Sequence, residues 1–254
     1  MGGLNNVRIH KSKIRLTDLR KIPEKERALF VLLGHLVNEL NVLNKTFYLC
    51  SQFKEEPKWR THAHISQALV FARVLVGKLY EGWELLRKGY FESQISIRYD
   101  ENLNEEAKEG LGKLKQYFGR DNLIKEIRNN FAFHYSVEDA QSMLGHELNE
   151  EELLMYLAEN NGNTLYYFSE YVVNYALLEA IVKGDPGKAL ERLIDESAQV
   201  VSWFNNLASG IMVHITEEYL LGSDGRLTME PIELGQLPVA EKIEIPYFFT
   251  SEPS

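Results

Sequence analysis

The chain has 254 residues, of which 44% are hydrophobic and 26% charged, and its formal net charge is -9. A chain of this composition is globular and long enough to bury a substantial core. Its negative field repels polyanions, which argues against indiscriminate coating of nucleic acid or adhesion to an anionic membrane. Cys50 is the only cysteine, so the chain can form neither an intrachain disulfide nor a thiolate metal cluster.

The N-terminal residues carry no recognisable targeting signal. They lack the apolar core of a signal peptide, and Asn6 stands where myristoylation prefers serine or threonine. No apolar run approaches the roughly 18 residues of a membrane span. Together with the single cysteine, this predicts a cytoplasmic protein that does not associate with membranes.

Charge is distributed unevenly between the two ends of the chain. Residues 1–30 hold eight basic and three acidic residues, a balance of +5, whereas residues 217–254 hold eight acidic and two basic residues, a balance of -6. Three interpretations follow: the ends pair within or between chains, the basic end steers a nucleic acid, or both ends are solvated. We assign residues 1–22 to a basic arm and residues 222–254 to an acidic, extended tail.

The residues between these ends follow a helical pattern, because apolar side chains recur every three or four positions. Breakers at Pro57, Gly89, Gly119 and Gly184 divide the pattern. Asp185 followed by Pro186 is a typical helix start. The predicted helices run from Pro23 to about Phe53, Thr61 to Tyr90, Leu103 to Phe118, from Asp121 onward, Glu170 to Lys183, and Pro186 to Leu221.

One segment departs from this pattern. Two short apolar runs flank a turn-forming Asn-Gly cluster at residues 159–163, which predicts a small β-hairpin over about residues 153–168. The predicted fold class is therefore mainly α. We expect an up-and-down bundle of about six helices, with a hairpin insertion and an irregular C-terminal tail. Residues 23–221 are predicted to form a single helical domain.

Residues 127–135 concentrate the groups that carry acid–base chemistry. The helix predicted from Asp121 onward carries all of them, and at about 100° per residue the His134 imidazole falls on the same face as the apolar Leu123 and Ile127. A histidine there must be hydrogen-bonded or lie at a wet cleft. The segment combines a cation, two amides, an imidazole and a phenol, namely Arg128, Asn129, Asn130, His134 and Tyr135.

The spacing of Arg128, Asn129 and His134 resembles the HEPN superfamily. Those helical-bundle proteins carry an arginine, usually a following polar residue such as asparagine, and a histidine after four to six intervening residues in a late helix. Five residues separate Arg128 from His134, and the preceding long helices suit the family. The resemblance is confined to about residues 24–140, and the hairpin and later helices depart from a minimal bundle.

The resemblance implies metal-independent cleavage of RNA by a homodimer, through attack of the RNA 2′-hydroxyl. His134 would be the general acid or base, Arg128 would stabilise charge on the phosphate, and Asn129 would orient either group. Asn130 and Tyr135 would support them. The family also suggests a toxin–antitoxin or abortive-infection setting, with an antitoxin or another protein as partner. Neither a cofactor nor a metal is expected.

Other patterns leave alternatives open. His62 and His64 project to different sides of a helix, which suits a two-ligand metal site poorly. An aromatic stripe that includes Tyr167, Tyr171 and Tyr175 could stack bases or belong to the core. The competing hypothesis for the whole chain is a non-catalytic helical interaction protein, in which Arg128 and His134 are structural.

Overall fold

The computed structural model describes residues 7–52, 57–131, 137–145, 148–222 and 225–250. Within these ranges the chain is mainly α, as predicted, and it forms nine α-helices and two short strands. The helices are α1 Leu16–Leu19, α2 Glu24–Cys50, α3 Lys58–Leu86, α4 Ile95–Tyr99, α5 Glu105–Phe118, α6 Leu123–Asn130, α7 Val137–Leu144, α8 Tyr167–Ile181 and α9 Pro186–Tyr219. The strands are β1 Arg8–Lys11 and β2 Glu230–Glu233.

The six predicted helices correspond to α2, α3, α5, α6, α8 and α9, with small shifts at their ends. A π-helical turn at Arg87–Phe91 continues α3. The short helices α1, α4 and α7 were not predicted, because four to eight residues give too few repeats for a clear period. Asp185 caps α9 as predicted, since its side chain accepts a hydrogen bond from the Lys188 backbone N–H at 3.0 Å.

The predicted hairpin is shorter than expected. Tyr156 and Leu165 form a single antiparallel bridge with backbone hydrogen bonds of 2.9 and 2.8 Å. A 3₁₀ turn at Asn161–Asn163 joins the two sides, and the Asn160 side chain caps it by accepting from the Gly162 N–H. The second predicted strand ends early because α8 begins at Tyr167.

The oppositely charged ends of the chain pair within the chain. β1 and β2 form the two-stranded antiparallel sheet of the described residues, with Arg8 opposite Glu233 and Lys11 opposite Glu230. Both pairs form salt bridges at the solvent-exposed surface. Exposed pairs of this kind contribute about 0–1 kcal/mol each, so backbone pairing dominates this contact.

The chain divides into two compact units, and α2, α3 and α9 each contribute residues to both. Unit 1 comprises Met1–Glu39, Gly82–Gln116 and Ser202–Ile243. Its core contains the fully buried rings of Tyr90, Tyr99 and Phe204.

Two glycines bring α5 and α9 close together. A Cβ at Gly110 would lie 2.8 Å from the Trp203 carbonyl oxygen, and one at Gly210 would lie 2.4 Å from the Ala107 Cβ.

Unit 2 comprises Leu40–Glu81, Tyr117–Val201 and Glu244–Ser254, and it contains α6 with the described part of the motif. The last described residues of the chain pack in this unit. Tyr247 donates a hydrogen bond to the Thr164 carbonyl at 3.0 Å, and the Phe248 ring meets the Trp59 ring edge-on. No helix among the described residues is both long and apolar enough to cross a membrane.

Candidate functional site

Helix α6 positions the first half of the predicted motif. Asn122 caps the helix by accepting a hydrogen bond from the Lys125 backbone N–H at 2.9 Å. Leu123, Ile124 and Ile127 are buried and anchor the helix in unit 2. Arg128, Asn129 and Asn130 are thereby held in the last turn of α6.

Helix α6 ends at Asn130, with Phe131 as its C-terminal cap. The prediction that one helix carries the whole motif was therefore wrong. The Phe131 N–H bonds to the Ile127 carbonyl at 2.8 Å, but the Phe131 backbone has left the helical region with φ -133° and ψ -19°. His134 and Tyr135 lie outside the described residues.

Arg128 is partly exposed and makes three contacts with residues that the structure describes. Its guanidinium lies over the Tyr80 ring, with the central carbon 4.9 Å from the ring centroid. One terminal nitrogen is 3.7 Å from a Glu81 carboxylate oxygen, and the other donates a long 3.4 Å hydrogen bond to the Asn129 side chain. Glu81 is 63% exposed, so water screens this ion pair. The ring contact positions Arg128, while the described part of the chain compensates its charge only weakly.

Both asparagines of the motif are exposed at the end of α6. Asn129 lines an open cavity of about 440 Å³, together with Asp121, Lys125, Glu126 and Arg192. This cavity is rich in charged groups of both signs. A polar, charged cavity of this kind suits a hydrated or ionic ligand better than an apolar one. The structure thus places Asn129 at this cavity, whereas Arg128 is not among the lining residues and contacts Asn129 through the 3.4 Å hydrogen bond.

A second polar cluster, centred on His62, was missed by sequence reasoning. The imidazole is 4% exposed. Its Nε2 lies 2.9 Å from the Glu152 carboxylate and its Nδ1 lies 2.9 Å from the Tyr156 hydroxyl. A neutral ring satisfies both contacts if Nε2 donates to Glu152 and Nδ1 accepts from Tyr156. Because 94 residues separate His62 from Tyr156, no local spacing in the sequence could reveal the cluster.

The His62 cluster joins α3 to the extended segment before α8. The imidazole stacks on the Tyr167 ring, with centroids 3.7 Å apart and planes inclined by 6°. Lys58 pairs with the other Glu152 oxygen at 3.0 Å. Both ring nitrogens of His62 are engaged by protein groups, so this arrangement is that of a structural contact rather than a metal ligand. Among the described residues, no group of three or more potential metal ligands comes together.

The His62 cluster makes the stability of the protein depend on pH. Burial lowers the pKa of the imidazole, and together with the nearby positive charge of Lys58 it outweighs the opposing attraction of Glu152. The pKa is therefore lower in the folded than in the unfolded chain, so the stabilisation is complete above about pH 6.5 and is lost on acidification below it.

We accordingly expect the thermal midpoint of unfolding to decrease when the pH is lowered from about 7.5 to about 5.5. The decrease should be smaller in His62→Gln than in wild type. Glutamine keeps hydrogen-bonding capacity but cannot titrate, whereas other groups titrate alike in both proteins. Thermal unfolding followed by circular dichroism measures both slopes. Equal pH dependence in the two proteins would contradict the expectation.

No family model matches the chain, and neither a curated protein nor a solved structure matches it significantly.

Proposed function

We propose that the protein is a metal-independent endoribonuclease of the HEPN type, with Arg128, Asn129 and His134 as its catalytic residues. The observation that carries the proposal is the placement of Arg128. Its side chain is 37% exposed, its guanidinium is positioned by the Tyr80 ring, and its ion pair within the described residues is a 3.7 Å contact with the exposed Glu81 carboxylate. An RNA phosphate can displace such a carboxylate at small cost.

The proposed reaction needs only groups that the motif supplies. His134 accepts the proton of an RNA 2′-hydroxyl, whose oxygen then attacks the adjacent phosphorus. The bond from phosphorus to the 5′-oxygen breaks, and the leaving oxygen takes a proton from the protonated imidazole of His134 of the partner subunit. The products are a 2′,3′-cyclic phosphate and a free 5′-hydroxyl. Arg128 stabilises the charge that develops on the phosphate oxygens, and Asn129 orients the phosphate or the imidazole.

A homodimer completes the proposed site. The resemblance implies that two bundles face their arginines and histidines across a shared cleft, so that one protomer can supply the base and its partner the acid. Asn130 and Tyr135 are proposed as supporting residues. A toxin–antitoxin or abortive-infection role, with an antitoxin as protein partner, belongs to the same proposal.

The proposal is tested by incubating the purified protein with end-labelled total RNA and with tRNA in EDTA. Wild type should cleave both and leave 2′,3′-cyclic ends, whereas His134→Ala should not cleave. His35→Ala is a matched control, because the His35 side chain is 67% exposed and contacts Glu39 within its own helix. Absence of cleavage by folded wild type, or cleavage that persists in His134→Ala, would overturn the proposal.

The second candidate is a non-catalytic interaction protein. The observation that favours it is that Arg128 already contacts Tyr80 and Glu81, as a structural arginine would. In that case Arg128→Ala lowers the thermal midpoint of unfolding, and neither wild type nor any variant cleaves RNA. The two measurements together separate the candidates.

A further inference from the structure

A cavity of about 140 Å³ lies beside α8 in unit 2, and none of its lining residues belongs to the proposed catalytic motif. Three tyrosines, Tyr167, Tyr171 and Tyr175, line it at intervals of one helical turn. Ile65 and Leu69 of α3 contribute aliphatic surface. We refer to this space as the tyrosine cavity.

Polar groups enter the tyrosine cavity at one place. Glu170 and Asn174 line it, and Asn174 is 3% exposed. The Asn174 amide donates to the Glu170 carboxylate at 3.0 Å and accepts from Arg73 at 3.1 Å. A carboxylate can accept several hydrogen bonds, so Glu170 retains capacity for a ligand donor. Arg73 offsets its charge, with 3.8 Å between the guanidinium and the carboxylate.

The tyrosine rings differ in how they are covered. Tyr167 is held in place by its stack on His62. Tyr171 lies 6.4 Å from Tyr167 and 6.2 Å from Tyr175, with planes inclined by 32° and 57°. These separations are too large for close parallel stacking among the three. Tyr171 packs against the buried cluster of Ala63, Leu165 and Tyr167 and also lines the cavity, where a planar ligand can contact it.

Size and chemistry together select the ligand class. A cavity of about 150 Å³ lined by apolar side chains admits benzene, so the tyrosine cavity accommodates one six-membered ring. Aromatic walls favour a planar π system, and the carboxylate favours a ring that carries an N–H donor. Among the single-ring bases of RNA, cytosine presents an exocyclic amine where uracil presents a carbonyl oxygen, which a carboxylate would repel; glutamate is a known acceptor for that amine.

We infer that the tyrosine cavity binds a single cytosine base of single-stranded RNA, stacked against Tyr171 and read by Glu170. The inference deepens the proposed function and rests on it, because it assigns a base preference to the same RNA substrate. The sugar and phosphate remain outside the cavity, where the carboxylate does not oppose them.

The position of the cavity along α3 agrees with this assignment. Tyr80, which holds Arg128, lies 11 residues after Leu69, and at about 100° per residue the two fall within about 20° of each other around the helix. At about 1.5 Å per residue they are separated by roughly 16 Å along the axis. A few nucleotides of an extended strand span this distance.

The test uses decamers of 2′-O-methylcytidine and 2′-O-methyluridine, which have no free 2′-hydroxyl and therefore survive the proposed reaction. Binding to the full chain is measured by fluorescence anisotropy at constant salt. Wild type should prefer the cytidine decamer by several-fold. Tyr171→Leu should weaken binding of that decamer by roughly tenfold, whereas Tyr166→Leu, an exposed tyrosine outside the cavity lining, should not.

Glu170→Gln supplies a second variant that keeps the shape of the cavity. It should bring the affinities for the two decamers together, because an amide can pair with either base. Equal wild-type affinity for the decamers, or unchanged affinity in Tyr171→Leu, would overturn the inference. Cytidine preference without any RNA cleavage would refute only the proposed nuclease, and cleavage without that preference would refute only the cytosine subsite.

Discussion

Replacing Arg128 with alanine is expected to reduce RNA cleavage by about 10²–10³-fold, the usual effect of removing one preorganised donor to a developing oxyanion. Arg128→Lys should recover only part of the loss, since lysine keeps the charge but lacks the planar fork that binds two phosphate oxygens. The measurement is the rate of cleavage of a labelled RNA under single-turnover conditions, with folding checked by thermal unfolding.

The neighbours of Arg128 provide matched variants with opposite expected effects. Tyr80→Leu removes the ring on which the guanidinium rests and should slow cleavage. Glu81→Gln removes the carboxylate that competes with phosphate, so it should lower KM without lowering kcat. If Arg128→Ala slows cleavage but neither Tyr80→Leu nor Glu81→Gln changes the kinetics, the roles proposed for Tyr80 and Glu81 would be contradicted. Full activity of Arg128→Ala would contradict the catalytic role itself.

Replacing Gly210 with alanine should lower the free energy of unfolding by about 1–3 kcal/mol, or prevent folding. The added Cβ would stand 2.4 Å from the Ala107 Cβ, and a short alanine side chain cannot rotate away. The backbones of α5 and α9 must therefore move apart within unit 1. Urea denaturation measures the change, and a lower midpoint with the same m value identifies it as lost native stability.

Two further variants separate crowding from helix propensity. Gly112→Ala lies in α5 with open space around the new Cβ, so it should raise stability by about 0.5–1 kcal/mol. The double variant Ala107→Gly with Gly210→Ala exchanges the two residues across the contact and should recover much of the loss. Equal effects at positions 112 and 210 would show that the close approach has no energetic consequence.

The sequence determined the features that depend on neighbouring residues. The apolar period, the breaker residues and the Asp185 cap act over one or two helical turns, so the bounds of α2, α5 and α9 could be predicted closely. The apolar residues by which α6 packs in unit 2 were predictable for the same reason. The end of α6 at Asn130 was not, because the apolar pattern continues through Phe131 and no glycine or proline marks the stop.

The tertiary structure decided the features that join distant residues. The pairing of β1 with β2 and the contact of Tyr80 with Arg128 depend on which surfaces remain after the helices pack. The same holds for the seating of His62 between Glu152 and Tyr156. Charge patterns indicated that the chain ends could pair with each other, but not whether they pair within or between chains or in which register, because electrostatic attraction has no fixed geometry. The sequence therefore indicated the residue types of the proposed catalytic motif, and packing determined which groups surround Arg128 and the tyrosine cavity.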